Sequence, residues 1–296
     1  METAGRIIGI TNWCLIFITM AIYLLIFIMI RYDRQQIKNI SILLTFNTCL
    51  ASFLTSCTTC IMTSSNLFGG YLMKNLTFCY IWGFLYDFLE CSIYYSYCLQ
   101  SFYRLCRVIF YKKKSLISYS IYMKLCIGQW LFTFILLLPT LFLYYIRLPT
   151  ETYCLVPYTD IHGQIYLILA LYLAPLVSIT VLYICITTFI RKSSKGSTAV
   201  ILARQRQRNL RDLAIIKRIV IIISVLVVLR FPTIIFIIYG LVVGELYPLT
   251  YAIVGLITSI CLILIGVITI YTTPTIRKNI LLILNVRENQ INPLTT

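Results

Sequence analysis

Residues 7–30 read IIGITNWCLIFITMAIYLLIFIMI, a run that contains no charged side chain. A helix needs about 20 apolar residues to cross the hydrocarbon core of a bilayer, and this run is long enough to do so. It is too long for a cleavable signal peptide and has no small-residue cleavage site, so we expect it to remain as a first membrane span. The whole chain of 296 residues has the same character, because it is 60% hydrophobic and only 11% charged.

Similar apolar runs recur along the chain and predict seven membrane-spanning helices. The mean hydropathy of +0.91 excludes a single soluble domain. After the last run, residues 274–284 place apolar and basic side chains on opposite faces, which predicts a short amphipathic helix in the membrane interface. The sequence therefore predicts an all-α membrane protein with a seven-transmembrane helix bundle. The predicted spans are residues 7–30, 40–63, 79–106, 122–146, 163–190, 214–240 and 247–272.

Basic side chains are concentrated in alternate loops and in the tail, which predicts the orientation of the chain. Positively charged loops stay in the cytoplasm. The pattern places an N-terminus of residues 1–6 outside, a transmembrane domain at 7–273 and a cytoplasmic tail at 274–296, as in a multi-pass protein of the plasma membrane. The net charge is +16, but its distribution among alternate loops argues against nucleic-acid binding. The basic clusters are Arg31, Arg34 and Lys38; Arg104, Arg107 and Lys112–Lys114; Arg191–Arg211; and Arg277, Lys278 and Arg287.

Two glycosylation sequons give a mixed test of this orientation. Asn75-Leu76-Thr77 lies in a predicted outer loop, where a glycan acceptor belongs. Asn39-Ile40-Ser41 lies in a predicted inner loop, so one of the two matches disagrees with the charge pattern. The charge asymmetry is the stronger signal, and we predict glycosylation at Asn75.

Most of the 12 cysteines lie within apolar runs, where cysteine is typically a small buried hydrophobe. The chain has a single histidine, His162, which disfavours a metal site and the clustered histidines of a membrane hydrolase. We therefore expect no enzyme activity, no metal and no cofactor. Two cysteines lie elsewhere: Cys79 is the first residue of the third predicted span, and Cys154 follows the fourth. Both face the oxidising outside and can form a disulfide.

The same spans carry an ordered series of further features. Taken with the two cysteines, the series resembles the rhodopsin-like family of G-protein-coupled receptors, as a divergent member, over nearly the whole chain. The features are Arg104, 25 residues after Cys79; Trp130 in the fourth span; Pro175 and Tyr183 in the fifth; and Pro232 in the sixth.

The resemblance implies a receptor that converts extracellular ligand binding into activation of a heterotrimeric G protein on the cytoplasmic face. Arg104 would match the family arginine that holds the inactive state and contacts the G protein. Its usual neighbouring acid is replaced by Tyr103. Asp212 matches the sixth-helix position that pairs with this arginine, so we predict an Arg104–Asp212 ion pair. The alternative is that Asp212 is a solvated acid in a basic loop.

Other motifs of the family have changed in this chain. Ser52 stands where the family has a sodium-binding aspartate, which makes sodium regulation improbable. The family's Asn-Pro-x-x-Tyr motif is not recognisable at residues 265–269, and the first-span asparagine is missing at its expected place. These changes put the usual activation relay in doubt.

Charged side chains at membrane depth indicate a possible ligand site. Asp87 and Glu90 lie in the third span and Arg230 in the sixth, and a buried charge needs a partner. We predict a Glu90–Arg230 pair, which is either purely structural or a switch that ligand rearranges. The resemblance disfavours an ordinary amine ligand, because Tyr86 stands where amine receptors of the family carry an aspartate, and Asp87 lies one step further round the helix. Aromatic residues that either line this pocket or serve only as packing are Tyr86, Tyr172 and Tyr251.

Short outer segments favour a small molecule or a peptide over a large protein as the extracellular ligand. Two other kinds of membrane protein remain as alternatives. A chemosensory-type receptor outside the rhodopsin-like family would accommodate the changed motifs. A transporter or channel is less favoured, because the chain has no internal repeat and no series of broken helices.

Overall fold

The computed structural model describes residues 2–32, 39–110, 114–143, 154–156, 160–193, 231–244, 247, 249–273, 276–277 and 279–280. These residues form helices and short connections, and none of them is in a strand. Short 3-10 turns at Tyr71–Lys74 and Lys114–Ile117 precede the third and fourth helices. The helices are α1 (Glu2–Tyr32), α2 (Ile40–Leu67), α3 (Leu76–Ile109), α4 (Tyr119–Leu143), α5 (Ile161–Leu167), α6 (Ala174–Ser193), α7 (Phe231–Val243) and α8 (Thr250–Thr272).

Within the described ranges, five helical stretches are long and apolar enough to cross a membrane: Thr3–Tyr32, Ile40–Leu67, Tyr119–Leu143, Ile161–Ile190 and Thr250–Tyr271. The chain is therefore a multi-pass membrane protein, and its described residues are helical apart from short connections. α3 has 34 residues and is long enough, but four charged side chains make it less apolar than these five. Only the end of the predicted sixth span is described, and residues 231–240 of it are helical.

Three side-chain caps explain where helices begin. The side chains of Asn39, Asn75 and Asp160 accept hydrogen bonds from backbone N–H groups in the first turns of α2, α3 and α5. Such residues satisfy N–H groups that have no partner within the helix. The three starts lie within three residues of the predicted boundaries. α1 differs more, because the helix already begins at Glu2 and includes residues that were expected to form a separate tail.

α3 is the central helix and packs against α2, α4 and α6. Four consecutive residues, Cys91 to Tyr94, are all buried, which requires neighbours on every side of the helix. The largest apolar cluster joins α3 to α1, α2, α6 and α8. This position explains why α3, the least apolar of the long helices, can keep Asp87 and Glu90 buried and away from lipid.

α1 and α8 pack closely through a glycine. A Cβ atom added at Gly266 would lie 2.8 Å from Cγ2 of Ile22, so only glycine allows this approach. Beside it, the Tyr23 hydroxyl donates to the Leu262 carbonyl at 2.8 Å. Small residues and interhelical hydrogen bonds hold helices together in a bilayer, where burial of apolar surface provides little driving force.

A polar network joins α2, α3 and α4 inside the protein. The Asn47 amide donates to Gln129 Oε1 at 2.7 Å, and Trp130 Nε1 donates to Asn47 Oδ1 at 2.8 Å. Gln129 in turn donates to the Ser92 carbonyl at 3.1 Å. Because each amide both donates and accepts, the network fixes the packing of three helices. Trp130 therefore holds helices together.

The segment after α8 returns to the helix bundle. Residues 276–277 and 279–280 are helical, with Ile276 buried and Arg277 exposed. The Asn279 amide donates to the Met29 carbonyl at the end of α1, at 3.4 Å. An apolar and a basic side are thus present in this segment, and its location at a membrane interface stays a prediction.

Candidate ligand cavity

A disulfide joins the beginning of α3 to the segment before α5. Cys79 and Cys154 are bonded, with their Cα atoms 5.1 Å apart, as the sequence predicted. Cys154 to Val156, which we name the cap, is held at a second point because Gln164 Nε2 of α5 donates to the Val156 carbonyl at 2.8 Å. The cap is therefore tied to two helices, one covalently and one by a hydrogen bond.

One wall of the cavity beneath the cap comes from α3. Tyr86, Asp87 and Glu90 are all buried and lie on adjacent positions of one helical face. The Tyr86 hydroxyl donates to Thr258 Oγ1 of α8 at 3.4 Å. This wall thus combines two carboxyl groups with a tyrosine that connects α3 to α8.

A π-helical turn at Ile168–Leu173 separates α5 from α6 and forms the opposite wall. The Ala174 N–H donates five residues back to the Leu169 carbonyl, which is the wider π spacing. The next residue, Pro175, has no N–H and cannot continue a regular α-helical ladder through this point. The proline that the sequence singled out therefore lies directly beside an irregular turn in the cavity wall.

The π turn places Tyr172 across the cavity from α3. Its hydroxyl donates to Glu90 Oε1 at 3.3 Å. Its ring meets Tyr94 edge to face, with the ring centroids 5.3 Å apart. These contacts connect the fifth span to α3 through one polar and one aromatic interaction. A displacement of one wall would therefore move the other.

The space between these walls is a cavity of about 250 Å³. Its surface is mainly aliphatic, with a small number of polar groups, which is the composition typical of small-molecule sites. The lining residues that the structure describes are Tyr86, Asp87 and Glu90 of α3; Leu155 and Val156 of the cap; Gln164 and Leu167 of α5; Ile168, Leu171, Tyr172 and Leu173 of the π turn; Leu176 of α6; Thr233, Ile234 and Ile237 of α7; and Val254 of α8.

α7 and α8 complete the cavity. Thr233 of α7 lines it, and its buried hydroxyl has no hydrogen-bond partner. Tyr251 of α8, which the sequence left as either a lining or a packing residue, is not part of the described lining and packs with Ile237 and Val254 in an apolar cluster. Arg230, the predicted partner of Glu90, lies outside the described residues, so the Glu90–Arg230 pair stays a prediction.

Arg104 lies far along α3 from the cavity. Its Nη2 donates to Ser41 Oγ at the start of α2 at 3.3 Å, and its guanidinium lies 5.6 Å from the ring centroid of Tyr103. Arg104 thus ties the end of α3 to α2. Asp212 lies outside the described residues, and the Arg104–Asp212 pair stays a prediction.

The remaining predicted residues that the structure describes do not line the cavity. Tyr183 of α6 is half-buried against Val108 and Ile186, near the end of α3 that carries Arg104. Pro232 is half-buried at the beginning of α7, directly before Thr233. Asn75 is exposed, and its Oδ1 caps α3 by accepting from the Phe78 N–H at 3.3 Å, which leaves its amide nitrogen available for a glycan.

Several polar residues that matter in the structure do not stand out in the sequence. Gln164 holds the cap and Thr233 lines the cavity, and each was an uncharged polar residue in an apolar run. Asn12 is another: its amide donates to Thr63 Oγ1 of α2 at 3.2 Å, and its Oδ1 accepts from Ser259 of α8. A search for isolated Asn, Gln and Thr within spans would have found all three.

No protein-family model matches the chain, and a search of curated proteins finds no similar sequence.

Proposed function

We propose that the chain is a ligand-responsive receptor of the rhodopsin-like type, which activates a heterotrimeric G protein on the cytoplasmic face. The observation that carries the proposal is the cavity beneath the disulfide-tied cap, lined by α3, the π turn and α7. In this proposal the chain has seven spans: the five apolar stretches, α3 and the span that ends in α7. The ligand is a small molecule or a peptide.

The proposed orientation places the cap outside the cell and Arg104 inside. The disulfide favours the oxidising side for the cap. Cys79 and Arg104 are 25 residues apart on one continuous helix, which is about 37 Å at the rise of an α-helix. That length exceeds the hydrocarbon core of about 30 Å, so the two residues lie on opposite sides of a bilayer if α3 crosses it. The basic clusters near Arg104 agree with a cytoplasmic end.

A ligand in the cavity would act by favouring one arrangement of α7 relative to α3. It would contact Glu90 on one side and Thr233 on the other, so its affinity depends on the distance between these helices. A ligand shifts a conformational equilibrium only as far as its affinities for the two states differ. We propose that the bound state moves the inner end of the sixth span outward, as in other rigid-body switches.

The test is guanine-nucleotide exchange in membranes that contain the full chain and a panel of purified G proteins. We expect Arg104→Ala to abolish basal exchange at matched protein levels. The matched control is Arg107→Ala, which removes an exposed arginine three residues further along the same helix and should leave exchange near the wild-type level. No exchange by the wild type with any G protein would contradict the proposal and favour a non-coupling receptor or a transporter.

The predicted ionic latch has its own test in the same assay. Asp212→Ala should raise basal exchange, because it removes the acid that would hold Arg104 in the inactive state. Asp160→Ala is a suitable control, since Asp160 caps α5 at the other end of the molecule. Unchanged or reduced exchange for Asp212→Ala, at a normal protein level, would argue against the latch.

A further inference from the structure

The cavity is closed on the side of the disulfide by the cap. Val156 is 1% exposed and Cys154 is 6% exposed, although both belong to a connecting segment. The disulfide to Cys79 and the hydrogen bond from Gln164 hold the cap in place. A ligand that came from the aqueous side past the cap would have to displace this doubly anchored segment.

On the membrane side the cavity wall reaches the protein surface at Leu173. This residue lines the cavity and is also 48% exposed. It lies twelve residues after Ile161, the start of an apolar span, and therefore about 18 Å along the helix. The hydrocarbon core is about 30 Å thick, so Leu173 faces the acyl chains of the lipid. A molecule that reaches the cavity past Leu173 must be dissolved in the bilayer.

The polar groups of the cavity are suited to one uncharged head group. The Tyr172 hydroxyl donates to Glu90 Oε1 at 3.3 Å, so these two side chains already bond to each other across the cavity. Thr233 has a buried hydroxyl without a partner, and rotation about its Cα–Cβ bond exchanges the hydroxyl with the methyl group. A charged head group would lose its hydration in a lining this apolar, which favours a neutral one. The rest of the lining is mainly aliphatic and suits a hydrocarbon chain.

We propose that the cavity binds a neutral single-chain amphiphile, such as a medium-chain alcohol, which enters from the bilayer past Leu173. The volume of about 250 Å³ is below the usual range for small-molecule pockets and accommodates one short chain, not a two-chain lipid. The inference rests on the proposed function in one respect, since it assigns a ligand class and a route to the same cavity.

The test uses the purified full chain in phosphatidylcholine vesicles and a medium-chain alcohol that carries a diazirine. After illumination, mass spectrometry maps the labelled residues. We expect label on the cavity-lining residues of the π turn and α7, and loss of that label in Leu173→Trp. The matched control is Leu169→Trp: Leu169 is 47% exposed on the same turn but does not line the cavity, so cavity labelling should persist.

Two further arms keep the inference falsifiable. The corresponding diazirine carboxylic acid should label lipid-facing residues but not the cavity, and equal cavity labelling by both probes would overturn the head-group assignment. If Leu173→Trp does not fold, the wild type is labelled in the presence of excess unlabelled alcohol instead. Labelling of the cavity should then fall, because a binding site saturates, whereas labelling of lipid-facing residues should not. Cavity residues that stay unlabelled while lipid-facing residues are labelled would overturn the proposal.

Labelling does not depend on signalling, so the two proposals fail separately. A chain that is labelled in the cavity but activates no G protein would contradict only the receptor function. A chain that promotes nucleotide exchange but is not labelled in the cavity would contradict only the ligand class and the route.

Discussion

Single polar residues in apolar helices carry much of the specific structure of this protein. Asn12 bonds to α2 and α8 at once, while Asn47 and Gln129 join α2 to α4. A lone amide in lipid is costly unless it is paired, so these residues restrict which helix faces can meet. The resemblance to a known family pointed to other positions and overlooked these.

Asn12→Ala should destabilise the protein by about 1–2 kcal/mol, because two interhelical hydrogen bonds are lost. The measurement is the thermal unfolding midpoint of the purified chain in detergent. Thr11→Ala is the matched control, since the exposed Thr11 hydroxyl donates only to the Ile7 carbonyl of its own helix, at 2.9 Å. Equal midpoints for the two variants would show that the Asn12 bridge contributes nothing measurable.

At the scale of elements, close helix contact depends on small residues and on local irregularity. Gly266 allows α1 to approach α8, and the π turn beside Pro175 orients Tyr172 toward Glu90. Helix capping follows directly from Asn39, Asn75 and Asp160, and the sequence located those helix starts well. The π turn was not predicted, because hydrophobic periodicity does not distinguish it from an α-helix.

Gly266→Leu should destabilise the protein by about 1–3 kcal/mol, because the added atoms overlap with Ile22 and must push α1 away. Gly128→Leu is the control on α4, where an added Cβ meets nothing within 4 Å. Thermal unfolding in detergent again provides the comparison. A loss of stability in the control as large as that in Gly266→Leu would point to a general effect of replacing helical glycine.

For the molecule as a whole, the disulfide connects parts of the chain that are 75 residues apart. Closing a loop of this length restricts the unfolded chain, which corresponds to about 4.5 kcal/mol of stability in the chain-entropy account. Reduction with dithiothreitol should therefore lower the thermal midpoint of the wild type. The double variant Cys79→Ser and Cys154→Ser should begin at the lower midpoint and not respond to the reductant; a response would implicate another cysteine.

The two sequons give a whole-molecule test of orientation. Asn39 caps the beginning of α2, and Asn75 follows its end, where it caps α3. α2 has 28 residues and is therefore about 42 Å long. The two cannot face the same side of a membrane that α2 crosses, and both are exposed. We expect glycosidase treatment to shift the wild type and Asn39→Gln on a gel, but not Asn75→Gln. The reverse result would place the N-terminus inside.

The sequence by itself determined the helical membrane architecture, most helix boundaries and the disulfide partners. Run length and helix capping are local properties of the sequence, and the disulfide follows from two cysteines that are predicted to lie on the same side of the membrane. Only the tertiary structure decided that Tyr86, Asp87, Glu90 and Tyr172 share one cavity, that Tyr251 is not part of its described lining, and that Trp130 belongs to a polar network. These assignments depend on the rotation of each helix about its axis, which is set by contacts such as Gly266 on Ile22 and the irregular turn before Pro175.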